Sequence, residues 1–376
     1  LSAKLPPVAL NGFPVRYGDD VTISYQTDDG EQSFKVNVNK GADGLVEPFS
    51  KRFTGDSMAV QTSFTLAECF FELAKKHREM EQESLARREM SQAQKLLAEA
   101  VATHRDDELR AHAEYLLGNL AQEYADLSKN DEAKLPMYQD ALSRFSKIPA
   151  DYPDTEFASK AQFKTALVYE KMGEIDNAVE EYVKLAYKYP DDELIPEVMS
   201  RLGGYFQKKG IALKKQGDPL REREDAESKA EVLRLDDLSY PEFLNAAMVF
   251  GKLEERFPDD KLAGLAGLRA AQNYMRALQY EKAIAGFEKV YGNEKYDDRG
   301  VRSQAMYWCG LSFERSAEPE MMEAYQLYRR ITFDFPDSKW AKYARGRLAD
   351  PAFARIIEIE KQERERLIEA LKESRK

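Results

Sequence analysis

Apolar positions along this chain change their spacing once, near residue 57. Before it, Val21, Ile23 and Tyr25 alternate with polar residues, as do Phe34, Val36 and Val38, and Asp28-Asp29-Gly30 stands between the two runs. Period-two alternation broken by an Asp-Gly turn predicts a β-hairpin. Pro6-Pro7, Gly12, Pro14 and Gly18 keep the flanking stretch extended. A lone hairpin is marginal in water, so residues 1–56 are expected to pack on the rest of the chain, on a partner or on an upstream domain. From residue 57 onward the apolar spacing is helical.

Within the helical part an aromatic-Pro-Asp mark recurs: Tyr152-Pro153-Asp154, Tyr189-Pro190-Asp191, Phe257-Pro258-Asp259 and Phe335-Pro336-Asp337. At a constant offset before each proline stand a small residue and an aromatic: Ala141 and Phe145, Ala178 and Tyr182, Ala246 and Phe250, Ala324 and Tyr328. A constant offset of this kind marks an internal repeat, and repeat arrays work as binding surfaces. The unit over Ala166 to Pro190 is the plainest. Ala166 and Tyr169 fall on a first helix, Gly173 in a turn, and Ala178, Tyr182 and Leu185 on a second helix that ends before Pro190. Asp154, Asp191, Asp259 and Asp337 are placed to cap the helix that follows each mark.

Carried along the chain, this register gives six units over 57–338. A first is placed at Ala67, Phe70, Ala93, Leu97 and Ala100, ending at His104-Arg105-Asp106-Asp107. Gly118 and Phe145 belong to the second, Ala271, Tyr274, Ala283 and Phe287 to the fifth, and Gly310, Phe313, Ala324 and Tyr328 to the sixth. In the fourth, Gly203 and Phe206 are separated from Ala246 and Phe250 by an insertion, 207–239. It reads as an extended first helix, a turn at Gly217-Asp218-Pro219 and a returning helix. Residues 339–376 supply capping helices, the last densely charged with Ile356, Ile357, Ile359, Leu367, Ile368 and Leu371 interspersed; an oligomerising helix is the other reading of that segment.

These residues resemble the tetratricopeptide repeat, a helix-turn-helix family. The resemblance implies an all-α fold, a solenoid of about six such repeats, here preceded by the extended, hairpin-bearing segment. Terminators such as Phe335-Pro336-Asp337-Ser338 and Tyr152-Pro153-Asp154-Thr155 are similar to a bacterial envelope subgroup that serves outer-membrane β-barrel assembly and the Tol–Pal system. That implies a periplasmic or outer-membrane-peripheral location, with the cytoplasm as the alternative. In this family the first helices line a concave groove, which at the matching positions puts Phe64, Tyr115, Phe163, Ser200, Leu268 and Tyr307 there. Asn119, Lys160, Gln272 and Arg315 add polar contacts. The family's lysine and asparagine clamp for a terminal carboxylate is not matched, so chaperone tails are not expected ligands.

Composition narrows the role. With a formal net charge of -11 and basic residues interleaved with acidic ones, the chain is not expected to bind nucleic acid. No apolar run is long enough to span a bilayer. The chain starts at Leu1 and not at Met, which leaves a removed leader open. Cys69 and Cys309 fall in different repeats and are expected as buried thiols without a disulfide. His77, His104 and His112 form no helical metal pair. There is no Gly-rich phosphate loop, nucleophile elbow or Cys-x-x-Cys motif, so neither a catalytic residue, a metal nor a cofactor is expected.

The expected role is a noncatalytic scaffold or adaptor that binds other proteins through the groove or the 207–239 insertion. Two alternatives stand beside it. One is a structural subunit, forming homo- or hetero-oligomers through the hairpin and the terminal helix. The other is the recognition module of an enzyme whose catalytic part lies upstream.

Overall fold

The computed structural model describes residues 20–27, 30–37, 57–103, 105–128 and 130–373. The rest of the 1–56 segment, with Asp28 and Asp29 of the expected turn, lies outside the described residues, as does His104. Strands β1 (Asp20–Thr27) and β2 (Gly30–Asn37) pair antiparallel, with Val21 opposite Val36 and Ile23 opposite Phe34. Everything else described is helices and their connections. The chain divides into two compact units, Leu1–Glu174 and Ile175–Lys376.

The first unit holds α1 (Ser57–Glu79), α2 (Glu83–Thr103), α3 (Asp107–Leu127), α4 (Asp131–Asp151) and α5 (Phe157–Met172). Consecutive helices pack on one another, α1 on α2 through to α4 on α5. Phe64, Phe70, Leu97 and Leu117 fill one core, and Phe145, Ile148, Tyr152 and Phe157 the next. At Gly118 the first helix of the second repeat has no side chain, and Phe145 occupies that space. Gly173 ends α5 in the left-handed conformation, φ 77°, which glycine adopts without steric cost.

The second unit runs through α6 (Ile175–Lys188), α7 (Ile195–Gly217), α8 (Ala226–Arg256), α9 (Ala263–Arg276), α10 (Tyr280–Gly292), α11 (Val301–Arg315), α12 (Met321–Asp334), α13 (Lys339–Leu348) and α14 (Ala354–Glu373). The 207–239 insertion is the distal half of the α7–α8 pair. After α7 reaches Gly217, a short turn of 3-10 helix, Asp218–Leu220, reverses the chain. Asp225 caps α8 by accepting from the Ser228 N–H at 2.8 Å. Gly203, Gly210 and Gly217 recur every second helical turn and so share one face of α7. Buried Phe250, Phe243 and Leu235 of α8 lie against these three glycines in turn. The Gly-against-aromatic contact of the repeats therefore recurs in the insertion at Gly210 and gives way to leucine at Gly217. Lys209–Glu242 at 2.7 Å and Arg221–Asp236, with bonds of 2.7 and 3.2 Å, flank the seam.

All four aromatic-Pro-Asp marks fold alike. The aromatic N–H closes the preceding helix, as from Tyr189 to the Leu185 carbonyl at 2.9 Å. Proline, with its fixed φ, takes the next position of a turn that closes onto the aromatic carbonyl, as from the Asp192 N–H at 3.2 Å. This corrects one expectation. Asp154, Asp191, Asp259 and Asp337 point outward, and it is the following residue whose side chain works in the turn. Asp192 accepts from the Leu194 N–H at 2.8 Å, Asp260 from Leu262 at 2.7 Å and Ser338 from Ala341 at 3.1 Å; Thr155 donates back to the Tyr152 carbonyl at 2.8 Å. The reason is geometric: the turn aims its third residue at solvent and its fourth along the new helix. Cys69 corrects another expectation. Its side chain is exposed because it falls on the outer side of α1, whereas Cys309 is buried and burial pushes its thiol pKa up; both are free thiols.

Candidate functional site

The expected groove residues meet different fates. In the first unit Phe64 is only 4% exposed and belongs to the core, so its ring offers no surface to a partner. It lies 4.9 Å from the His112 ring, which in turn stacks on Phe157 at 4.6 Å with the planes 11° apart. Half-buried Tyr115 sits 5.5 Å from Phe157 and 5.7 Å from Phe145. The Lys160 ammonium stands 5.2 Å from the Phe157 ring centre and 3.4 Å from Glu156. Asn119, one turn beyond Tyr115, has a buried Oδ1 with no hydrogen-bond partner among the described residues. Phe163 is half-buried on α5. The structure thus ties Tyr115 and Lys160 together through Phe157 and His112, neither of which the repeat register singles out. The available signal was Phe157, an aromatic one turn before Lys160 at the start of the helix.

Electrostatics in this cluster follow from burial. Desolvation holds the His112 imidazole below its ordinary pKa; Lys160 works in the same direction, against Glu68 and Glu156. Desolvation raises the Tyr115 phenol, and a hydrogen bond with Asn119 partly offsets it. Set between the Phe64 and Phe157 rings, the imidazole packs as an aromatic.

In the second unit Leu268 is 1% exposed and fills the core, so it too presents nothing to a ligand. Half-buried Gln272 precedes fully buried Asn273, whose amide donates to Gln207 at 3.0 Å. Ser200 is half-buried on α7, and Arg315 is exposed at the end of α11. Tyr307 is the centre of an aromatic cluster: Trp340 at 5.3 Å, Tyr328 at 5.7 Å, Tyr343 at 5.9 Å and Trp308 at 6.0 Å. Beneath it, Arg347 binds Glu314 and donates to Asp350 at 3.1 Å, while the Tyr328 hydroxyl donates to Glu314. This anchors α13 to α11. Trp340 and Tyr343 lie after the last repeat, beyond the reach of a register that ends at Asp337.

Among the described residues no cluster of three His, Cys, Asp or Glu could hold a metal ion, and no helix is long and apolar enough to cross a membrane.

Residues 160–192 match the family model of the tetratricopeptide repeat. Among curated proteins there is no match. Solved structures similar to this chain include a tetratricopeptide repeat protein from Parabacteroides merdae, 14% identical, with 74% of this chain and 97% of that chain covered and a TM-score of 0.27. The C-terminal part of a TPR repeat-containing protein from Cytophaga hutchinsonii is 17% identical, covers 75% and 98%, and has a TM-score of 0.27. A circular tandem repeat protein with novel repeat topology is 15% identical, covers 90% and 91%, and reaches 0.35.

Proposed function

We propose that this tetratricopeptide-repeat chain is a noncatalytic scaffold that holds other proteins at a bacterial envelope, in the periplasm or at the outer-membrane periphery. Repeats of this family generally mediate contacts between proteins. The observation that carries the reading is that Tyr115, Phe163 and Tyr307, on the first helices of their repeats, are only half-buried. Aromatics so placed give large contact area at low entropic cost. The α7–α8 extension is a second contact region. The envelope location rests on the Tyr/Phe-Pro-Asp terminators alone and is tested by fractionating native cells.

The groove is tested by cross-linking the tagged chain in its native cells and identifying what it captures. Wild type should return a reproducible protein set that Phe163→Ala/Tyr307→Ala, with unaltered circular dichroism, loses. An unchanged set defeats the groove, and no reproducible set defeats the scaffold. One observation favours self-assembly as a second reading: α14 exposes Ile357, Ile359, Leu367 and Ile368, and with α12 it walls a cleft of about 560 Å³ lined by Met322, Tyr325 and Phe333. Light scattering decides that reading, because a monomer mass at every concentration excludes it.

A further inference from the structure

Helix α13 differs in charge from the chain that carries it. Lys339, Lys342, Arg345 and Arg347 are four of its ten residues and none is acidic, in a chain of formal net charge -11. Two of these cations are committed. Arg347 is bound to Glu314 and Asp350, and Arg345 donates to the Pro336 carbonyl at 2.7 Å, holding the turn that precedes the helix. Lys339 and Lys342 are exposed, and among the described residues neither has an acidic partner. They lie three residues apart, hence side by side on the helix surface, where like charges repel.

The next row around the helix is aromatic. Trp340 and Tyr343 stand 5.6 Å apart at 65°, both leaning on Tyr307. Tyr343 is 49% exposed, and the Lys339 ammonium lies 4.8 Å from the Trp340 ring centre. Ala341 and Ala344 are fully buried, which fixes the helix with Lys339, Lys342 and Tyr343 outward and Trp340 half-buried beside them. A cationic row beside an aromatic ledge is satisfied by a ligand with carboxylates on one side and an apolar side chain on the other. A long polyanion fits poorly. It would run past this face onto a chain of formal net charge -11, whereas a short segment need only cover the two lysines and the rings.

We propose that the face formed by Lys339, Trp340, Lys342 and Tyr343, with Tyr307 behind it, docks an acidic protein segment that sets an aromatic or leucine side chain on the rings. This rests on the scaffold reading and names the chemistry of one partner.

The test pans a displayed random-peptide library on the full chain and on the exposed double variant Lys339→Glu/Lys342→Glu. Wild type should enrich peptides rich in Asp and Glu with an aromatic or leucine residue, and the variant should not. A synthetic copy of the leading peptide should bind the double variant roughly tenfold more weakly, and Tyr343→Ala more weakly than wild type, with circular dichroism unchanged in both. Enriched peptides of ordinary library charge, or an affinity unmoved by the double reversal, overturn the acidic docking site and leave the scaffold standing. Failure to enrich any peptide counts against both. Oligo-dT or phosphatidylserine vesicles binding through the two lysines while acidic peptides do not would replace this proposal with a nucleic-acid or membrane face.

Discussion

Gly203 and Gly204 are adjacent in α7, yet adding one methyl group to each should move stability in opposite directions. A Cβ on Gly203 would fall 2.8 Å from Cε1 and Cζ of Phe250 and 2.9 Å from Cδ1, closer than real side-chain carbons approach. That ring cannot step aside easily. It is fully buried, and the Arg269 guanidinium carbon lies 5.6 Å from its centre. Overpacking of this kind costs ~1–3 kcal/mol. Replacing a helix-interior glycine by alanine returns ~1 kcal/mol of backbone entropy, so Gly203→Ala should destabilise by ~1 kcal/mol net. At Gly204 nothing lies within 4 Å of the added carbon, and Gly204→Ala should stabilise by ~1 kcal/mol. Both tryptophans of the chain, Trp308 and Trp340, belong to the same unit as these glycines. Thermal unfolding followed by tryptophan fluorescence therefore reads that unit, with roughly 2–4 °C of Tm per kcal/mol for its size. Gly203→Ala/Phe250→Leu should recover part of the loss if the ring is the obstacle. A Gly203→Ala that raises Tm as much as Gly204→Ala would refute the close-approach argument, here and at Gly210 and Gly310.

Three further outcomes are expected. Asp192→Ala should cost ~1 kcal/mol as a lost turn hydrogen bond, whereas Asp191→Ala, whose side chain is 99% exposed, should change denaturation by less than ~0.5 kcal/mol; equal effects would restore the sequence-based assignment of the cap. Leu278 is 50% exposed at φ 59°, in the place Gly173 holds in the third repeat, so Leu278→Gly should stabilise by ~0.5–1 kcal/mol and Leu278→Val should destabilise in the same melts. His112, held neutral by burial, takes up a proton in the unfolded chain below about pH 6.5 before it does so in the fold. Its contribution is therefore complete above that pH and is lost as pH falls below it, toward the lowered native value. Far-UV melts should show that slope weaken in His112→Phe; an unchanged slope assigns the acid sensitivity elsewhere.

Much of the helical organisation was legible in the chain, because a helix pair is a local object. Apolar spacing, Gly217-Asp218-Pro219 and the regular aromatic-Pro-Asp marks depend on residues near in sequence, and α7, α8 and their turn can be read directly. Groove assignment was less legible. Phe64, Tyr115, Leu268 and Tyr307 share one register position, yet two are core and two are half-buried. Neighbouring helices decide which: Phe64 and Leu268 are covered, while Tyr115 and Tyr307 retain part of their surface. The same holds for the capping residue, since Asp191 and Asp192 have equal propensity and the turn alone orients them.

By itself the sequence determined that this protein is a series of helix pairs, with a small residue and an aromatic at fixed positions in most of them and one pair extended. Those features rest on backbone preferences and periodicity, which are properties of short stretches. Only the tertiary structure decided what is left outside. Burial of Ala341 and Ala344 turns Lys339, Lys342 and Tyr343 outward with Trp340 half-buried beside them, and the Arg347–Glu314 bond seats α13 against Tyr307. A surface is what packing does not cover, and packing joins residues that are far apart in the chain.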